Sequence, residues 1–476
     1  MNSAGLLGGA CLARLHRRLQ VGLARAPANG LLSITLDLGA GDADWLAVDP
    51  ARDYVSWWAP PAAGQAGDRR LALGRAVAFS TAGGGRFAAL QAAFCGLQTR
   101  WQHDDEQNSG VEPAAHIGFA FDEEDEDAAA TTAALPNARL LVPAILLRHH
   151  AGRRTATFSC PVGAGERAMA HWLAELQSVY RGNGAQPLAP VWRRQPSPLV
   201  DRAFLARARA ALAEIARGKL AKLVLTRRVR FAGEQPAAIA PMLAALAHRQ
   251  PRCTLYAVGQ AGQSFVGATP ERLVKLQAGT VYADALAGTA WLSASDSRPA
   301  SRGLLDDKNR REHQLVVDAI RAALDPLCTS LVVPPAATVL HLSELQHLQT
   351  RVVGRLRPGA ALFDLLAGLH PTPAVGGAPG AAARQWLRHH GERRVAWYTG
   401  GIGWVERNGD GEVVVALRCA RLRGGEAELF AGAGIVAGSE PEQELAETEV
   451  KLAVMADALQ QSGGVDGCRS SRNGTR

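Results

Sequence analysis

The sequence lacks the marks of several large protein classes. No apolar run approaches the ~20 residues of a membrane-spanning helix. The first residues, "MNSAGLLGGACLARLHRRLQVGLARA", contain no continuous apolar stretch of signal-peptide kind, because Arg and His interrupt them. That amphipathic, acid-poor start also has transit-peptide character, and a plain helix is the preferred reading. The seven cysteines (Cys11, Cys95, Cys160, Cys253, Cys328, Cys419 and Cys468) are odd in number and widely spaced, with no C-x-x-C. This argues against a disulfide framework or a cysteine-built zinc site and suits the reducing cytoplasm. There is no H-E-x-x-H, no internal repeat and no long basic run. The formal net charge of +8 comes from Arg scattered among acids without aromatic interleaving. Nucleic-acid binding is therefore not expected, whereas an anionic substrate is compatible.

What is present is a globular composition. The chain has 476 residues, 47% hydrophobic and 20% charged, ample for a large core. Residues 1–190 read as irregular, with short strands such as "LLSITLDL" between Gly/Pro loops and a solvated acidic loop, "FDEEDEDAAATTAALPNA". The Pro-rich "AQPLAPVWRRQPSP" reads as a connector. Over 191–461 the pattern sharpens. Helices are expected at "DRAFLARARAALAEIARGKL", "AAIAPMLAALAHR", 306–326, 360–369 and 440–461. Strands are expected at "AKLVLTRRVRF", "CTLYAVGQ", "QSFVGATP", "RLVKLQAGTVYADALAG", "RVAWYTGGIGWVE", "GEVVVALRCARL" and "AELFAGAGIV". Residues 462–476 read as a disordered tail. The class is α+β (mixed α/β), with large antiparallel sheets flanked by helices.

Several polar residues sit where apolar periodicity would bury them. In "KNRREHQLVVDAI", Glu312 points along the apolar stripe of its helix, and a buried carboxylate needs a cation or donor. On the last helix, Glu444, Glu447 and Lys451 share a face, either a solvated stripe or part of a site. If Glu312 and Glu447 meet, a cation between them would relieve the repulsion. An oxygen-only ligand set favours Mg²⁺ over zinc. Arg418 shares an apolar strand face with Val414, Ala416 and Ala420, so it needs an anion, from a protein carboxylate or from a substrate. Lys222 lies on a strand face with Val224 and Thr226, as a base or as a snorkelling edge lysine. Glu271 follows Pro270 at a turn, where an ordinary surface acid is the simplest reading. The run "AGAGIVAGS" spaces its glycines as G-x-G-x-x-x-G, which fails the dinucleotide fingerprint. It reads as a glycine loop whose amides could approach an anion.

The ordered set "AKLVLTR", "GATPERLV", "ALAGT", "DDKNRREHQLVV", "LQHLQT", "LHPTPAVGG", "WYTGGIGW", "VALRCARL" and "LFAGAGIVAGSEPEQELAETEVK" closely resembles the chorismate-utilising enzymes over roughly 195–461. Within them it resembles the isochorismate synthases. The resemblance implies that family's fold around one central active-site cleft, and a chorismate-binding catalytic part at 191–461 preceded by an N-terminal part at 1–190. It further implies Lys222 as the base that activates water, Glu271 as the acid, and Mg²⁺ on Glu312 and Glu447 with Glu444 close by. Substrate contacts are implied at Leu286, Gly288, Thr289, His347, Tyr398, Arg418, Gly432, Gly434 and Lys451. Ammonia-using members usually carry glutamine where this chain has Lys222, so neither an anthranilate or aminodeoxychorismate synthase nor a glutaminase partner is expected. A cytoplasmic monomer is. A salicylate synthase, which also eliminates pyruvate, is the alternative.

Overall fold

The computed structural model describes residues 8–40, 53–60, 67–105, 107–124, 135–181, 191–291, 307–343 and 345–461. Two large sheets dominate. The larger contains thirteen described strands and the smaller ten, and every pairing is antiparallel except that of Leu31–Ala40 with Trp101–Asp104. Strands from before and after residue 190 share both sheets. Tyr54–Ala59 pairs with Thr254–Gln260 in the larger, and Ala114–Phe119 pairs with Gly401–Glu406 in the smaller.

The expected helices after residue 190 are present as Pro198–Ala216, Ile239–Arg249, Asp307–Leu324, Leu362–Leu369 and Pro441–Gln460. Pro at the first turn and Asp201 within it start the Pro198–Ala216 helix. The N-terminal part is less irregular than its composition suggests. It carries helices Gly9–Arg25, Arg86–Gln98 and Arg167–Arg181 and contributes strands to both sheets. Part of the Pro-rich connector is also a strand, Trp192–Arg194, paired with the end of Lys222–Gly233. Most of the acidic loop and the 462–476 tail lie outside the described residues.

Three further expectations are corrected. "GEVVVALRCARL" is two strands, Gly411–Val415 in the smaller sheet and Cys419–Arg423 in the larger. The chain crosses between them through Arg418, whose φ of 44° lies in the left-handed region. "AELFAGAGIV" is the expected strand, Glu426–Val436, and this overturns the glycine-loop reading of its "AGAGIV" end. The "RVAWY" half of another expected strand is likewise a turn region leading into Gly401–Glu406.

One core cluster joins the two sheets. Leu223, Leu225, Ala433 and Ile435 from the larger pack with Val274, Val281, Ala283 and Val352 from the smaller, and with Val316, Val317 and Ile320 of the Asp307–Leu324 helix. Burying a side chain of this size contributes about 1.5–3 kcal/mol. This seam makes the rigid frame on which the polar residues stand.

Candidate active site

Alternation along Lys222–Gly233 puts Leu223 and Leu225 in that core and leaves Lys222, Val224 and Thr226 on the other face. That face borders a cavity of about 830 Å³, ample for a small organic acid. All of the residues singled out above line it: Lys222, Glu271, Leu286, Gly288, Thr289, Glu312, His347, Tyr398, Arg418, Gly432, Gly434, Glu444, Glu447 and Lys451.

Lys222 is not a snorkelling edge lysine. Its strand is paired by Glu426–Val436 on one side and by Gly377–Ala378 on the other, and the residue is 1% exposed. Its Nζ lies 2.8 Å from Glu312 Oε1. The buried stripe of the Asp307–Leu324 helix runs through Asn309, His313, Val316, Val317, Ile320 and Leu324. Glu312 stands beside that stripe and faces the cavity. Burial alone would raise the Glu312 carboxyl, but the charge and hydrogen bond of Lys222, with Lys451 and Lys308 behind, bring it below the usual value.

The last helix is not a solvated stripe. Glu444 is buried and takes Lys308 Nζ at 2.8 Å. Burial and the neighbouring Glu447 charge raise its carboxyl, with Lys308 opposing them. Glu447 is 2.6 Å from Lys451 Nζ, which also donates to the Gly432 carbonyl at 2.9 Å. Three carboxylates thus face one cavity, each matched by a different lysine. Among the described residues no three His, Cys, Asp or Glu groups converge tightly enough to hold a metal by themselves. This donor set fits a hard cation held by one or two carboxylates and completed by water and ligand oxygens. It does not fit a closed zinc cage.

Glu271 is 5% exposed and is no surface acid. Burial, aided by Asp284 and opposed by Lys222 and Lys451, pushes its carboxyl up to about 8. It therefore holds its proton at neutral pH.

Arg418 is buried at the cavity wall. Its Nη2 donates to His347 Nε2 at 3.1 Å. His347 Nδ1 in turn donates to the Gly288 carbonyl at 3.2 Å. Those two bonds assign the Nδ1–H tautomer, and burial with the charges of Arg418 and Lys451 holds His347 well below its usual pKa, so it stays neutral. Gly288 has φ of 73° at a bulge in Thr280–Trp291. That bulge presents the Thr289 amide to Asn309 Oδ1 at 3.2 Å. Tyr398 stacks on Phe430 with centroids 5.2 Å apart.

The glycines on the Glu426–Val436 strand are there for space. A Cβ at Gly434 would lie 2.8 Å from Glu312 Oε1 and 3.0 Å from Lys222 Cε, and one at Gly432 would lie 2.9 Å from the Leu225 carbonyl. Reading the sequence missed Lys308, although it sits in the quoted "KNRREH". It also missed Asn309, although it begins the buried stripe of the same helix.

A buried lysine, a protonated acid, a buried arginine and three carboxylates line one cavity, groups suited to proton transfer on a small anionic ligand. The comparisons narrow this. The chorismate binding enzyme family model matches residues 43–460. The isochorismate synthase MenF of Bacillus subtilis is 33% identical over 369 residues, covering 75% of this chain and 77% of that protein. The salicylate biosynthesis isochorismate synthase of Pseudomonas aeruginosa is 41% identical over 261 residues, covering 54% of each. The solved structure of MenF, the menaquinone-specific isochorismate synthase from Escherichia coli, superposes with a TM-score of 0.76 at 27% identity, over 94% of this chain and 99% of that one. The chain belongs to the chorismate binding enzymes.

Proposed function

We propose that this protein is an isochorismate synthase that adds water at C2 of chorismate and expels the C4 hydroxyl. The observation that carries this reading is the placement of Lys222 and a protonated Glu271 in one cavity. Lys222 accepts a proton from the attacking water. Glu271 gives its proton to the departing C4 oxygen and is left as a carboxylate facing Lys222 and Lys451, whose charges favour that state. Arg418, fixed by His347, supplies a guanidinium fork for a substrate carboxylate, and Tyr398 and the Gly432–Gly434 backbone form the adjoining wall. Leu286, Gly288 and Thr289 shape the opposing strand. Glu312 and Glu447 would hold Mg²⁺, with Glu444 beside them. When bound, the ion would neutralise the second carboxylate and withdraw electron density from the ring.

The chain is read as a cytoplasmic monomer acting without a glutaminase. No described helix is long and apolar enough to cross a membrane. The test is chromatography of chorismate incubated with enzyme and Mg²⁺. Isochorismate without pyruvate is expected. Stoichiometric pyruvate and salicylate would assign the salicylate synthase reaction instead, and anthranilate formation with ammonia would overturn the role of Lys222.

A further inference from the structure

Arg394 lies behind the cavity wall, 6% exposed, with its guanidinium carbon 3.7 Å from the Phe121 ring centroid. Its donors reach three oxygens from distant parts of the chain. Nη1 serves the Val375 carbonyl at 2.5 Å and Thr399 Oγ1 at 2.7 Å, and Nη2 serves the Val224 carbonyl at 3.0 Å. All three acceptor residues line the cavity. The acids whose charges act on Arg394 are themselves taken up, Glu392 by Arg207 and the Thr226 amide and Asp122 by Arg388. A buried arginine that is spent on main-chain carbonyls and one hydroxyl is an expensive way to fill space.

What it fixes explains it. Val224 is two residues along the strand from Lys222. Thr399 follows Tyr398 and is held at φ of 59°, a region that β-branched residues avoid. Every polar atom of Thr399 is pinned. Its amide donates to the Ala416 carbonyl at 2.8 Å, its carbonyl accepts from His370 Nε2 at 2.9 Å, and its hydroxyl accepts from Arg394 while donating to the Tyr398 carbonyl at 2.7 Å. A planar fork with fixed angles can hold three such acceptors at set separations, and a lysine cannot.

We infer that Arg394 is a positioning residue for the reaction proposed above. It ties the Lys222 strand to the Tyr398–Thr399 turn, so that the base and the substrate-facing tyrosine keep their spacing. The inference rests on that proposed reaction.

The test measures kcat, KM for chorismate and the thermal midpoint for wild type, Arg394→Lys, Arg394→Met, Thr399→Val and Arg394→Lys/Thr399→Val. A misplacement on the order of 1 Å costs about 100-fold in rate. Arg394→Lys is therefore expected to lose about 10- to 100-fold in kcat per folded molecule, with a smaller change in KM. Thr399→Val should lose less, and the double variant should be no worse than Arg394→Lys alone, because the hydroxyl acts through the guanidinium. If Arg394→Met does not fold, the lysine and valine variants decide. Wild-type kcat in Arg394→Lys, or strictly additive losses in the double variant, would overturn the role of Arg394 while leaving the activity intact. A wild-type protein that does not consume chorismate would overturn the underlying reaction instead.

Discussion

Replacing Glu271 by Gln should make this protein more stable and less active, and the stability gain should depend on pH in a defined direction. Glu271 is fully buried and its carboxyl is pushed from 4.5 to about 8. Below pH 4.5 both the folded and the unfolded chain keep the proton, and the group has no effect on stability. Between about 4.5 and 8 the unfolded chain releases the proton and the folded one retains it, so the group's contribution falls as pH rises. Above 8 the loss is complete. At about 1.4 kcal/mol per pH unit, the interval from 4.5 to about 8 corresponds to about 5 kcal/mol at most. Glutamine has nearly the same shape and does not titrate. The assay is the thermal midpoint of wild type and Glu271→Gln, with chelator present, from pH 5 to pH 8. For a chain of this size the variant's advantage should widen by roughly 5 °C across that range. Turnover should fall about 10²- to 10⁴-fold, the usual contribution of a general acid. A midpoint difference that stays constant from pH 5 to pH 8 would show that Glu271 ionises normally, and the assignment of the acid would fail with it.

In the same wild-type protein, kcat should decline as pH rises through about 8, where Glu271 loses its proton, and Glu271→Gln should lack that limb. A rate that keeps rising past pH 9 would count against it. Lys222→Ala should lose about 10²- to 10⁴-fold in kcat while the far-ultraviolet circular dichroism is unchanged, and full activity would remove Lys222 as the base. Gly434→Ala would place a methyl 2.8 Å from Glu312 Oε1 and 3.0 Å from Lys222 Cε. It should cut kcat/KM by at least ~10-fold with little change in midpoint, because the clash falls on the site and not on the core; the figure takes a sub-ångström displacement as the cost. Unchanged kinetics would mean that the cavity wall yields freely. Chelation should abolish turnover and Mg²⁺ restore it, with Glu447→Gln needing more Mg²⁺ for half-recovery. Full activity in chelator would remove the metal from the account.

The parts of the fold legible in the sequence were those governed by local periodicity. Alternation marked the Lys222 strand, and the 3.6-residue repeat marked the Asp307–Leu324 and Pro441–Gln460 helices. What failed was decided non-locally. The apolar alternation of "VVVALRCARL" runs unbroken through Arg418, so nothing in it discloses a left-handed residue at which the chain leaves one sheet for the other. The small residues of "AGAGIV" imitate a loop, but they lie in a strand kept small by Glu312, Lys222 and the Leu225 carbonyl opposite. In the N-terminal part, two strands complete the sheets against partners hundreds of residues away, Tyr54–Ala59 beside Thr254–Gln260 and Ala114–Phe119 beside Gly401–Glu406, which local pattern does not display. At the site, the family motifs marked the residues that face the cavity. They did not mark Arg394, whose partners are main-chain oxygens that a sequence does not display.

The central claim is that water, deprotonated at Lys222, attacks the ring. Turning over chorismate in heavy-oxygen water and weighing the product tests it most directly. Isochorismate should carry one solvent oxygen, on C2. Product that retains only the oxygens of the original chorismate would contradict the claim.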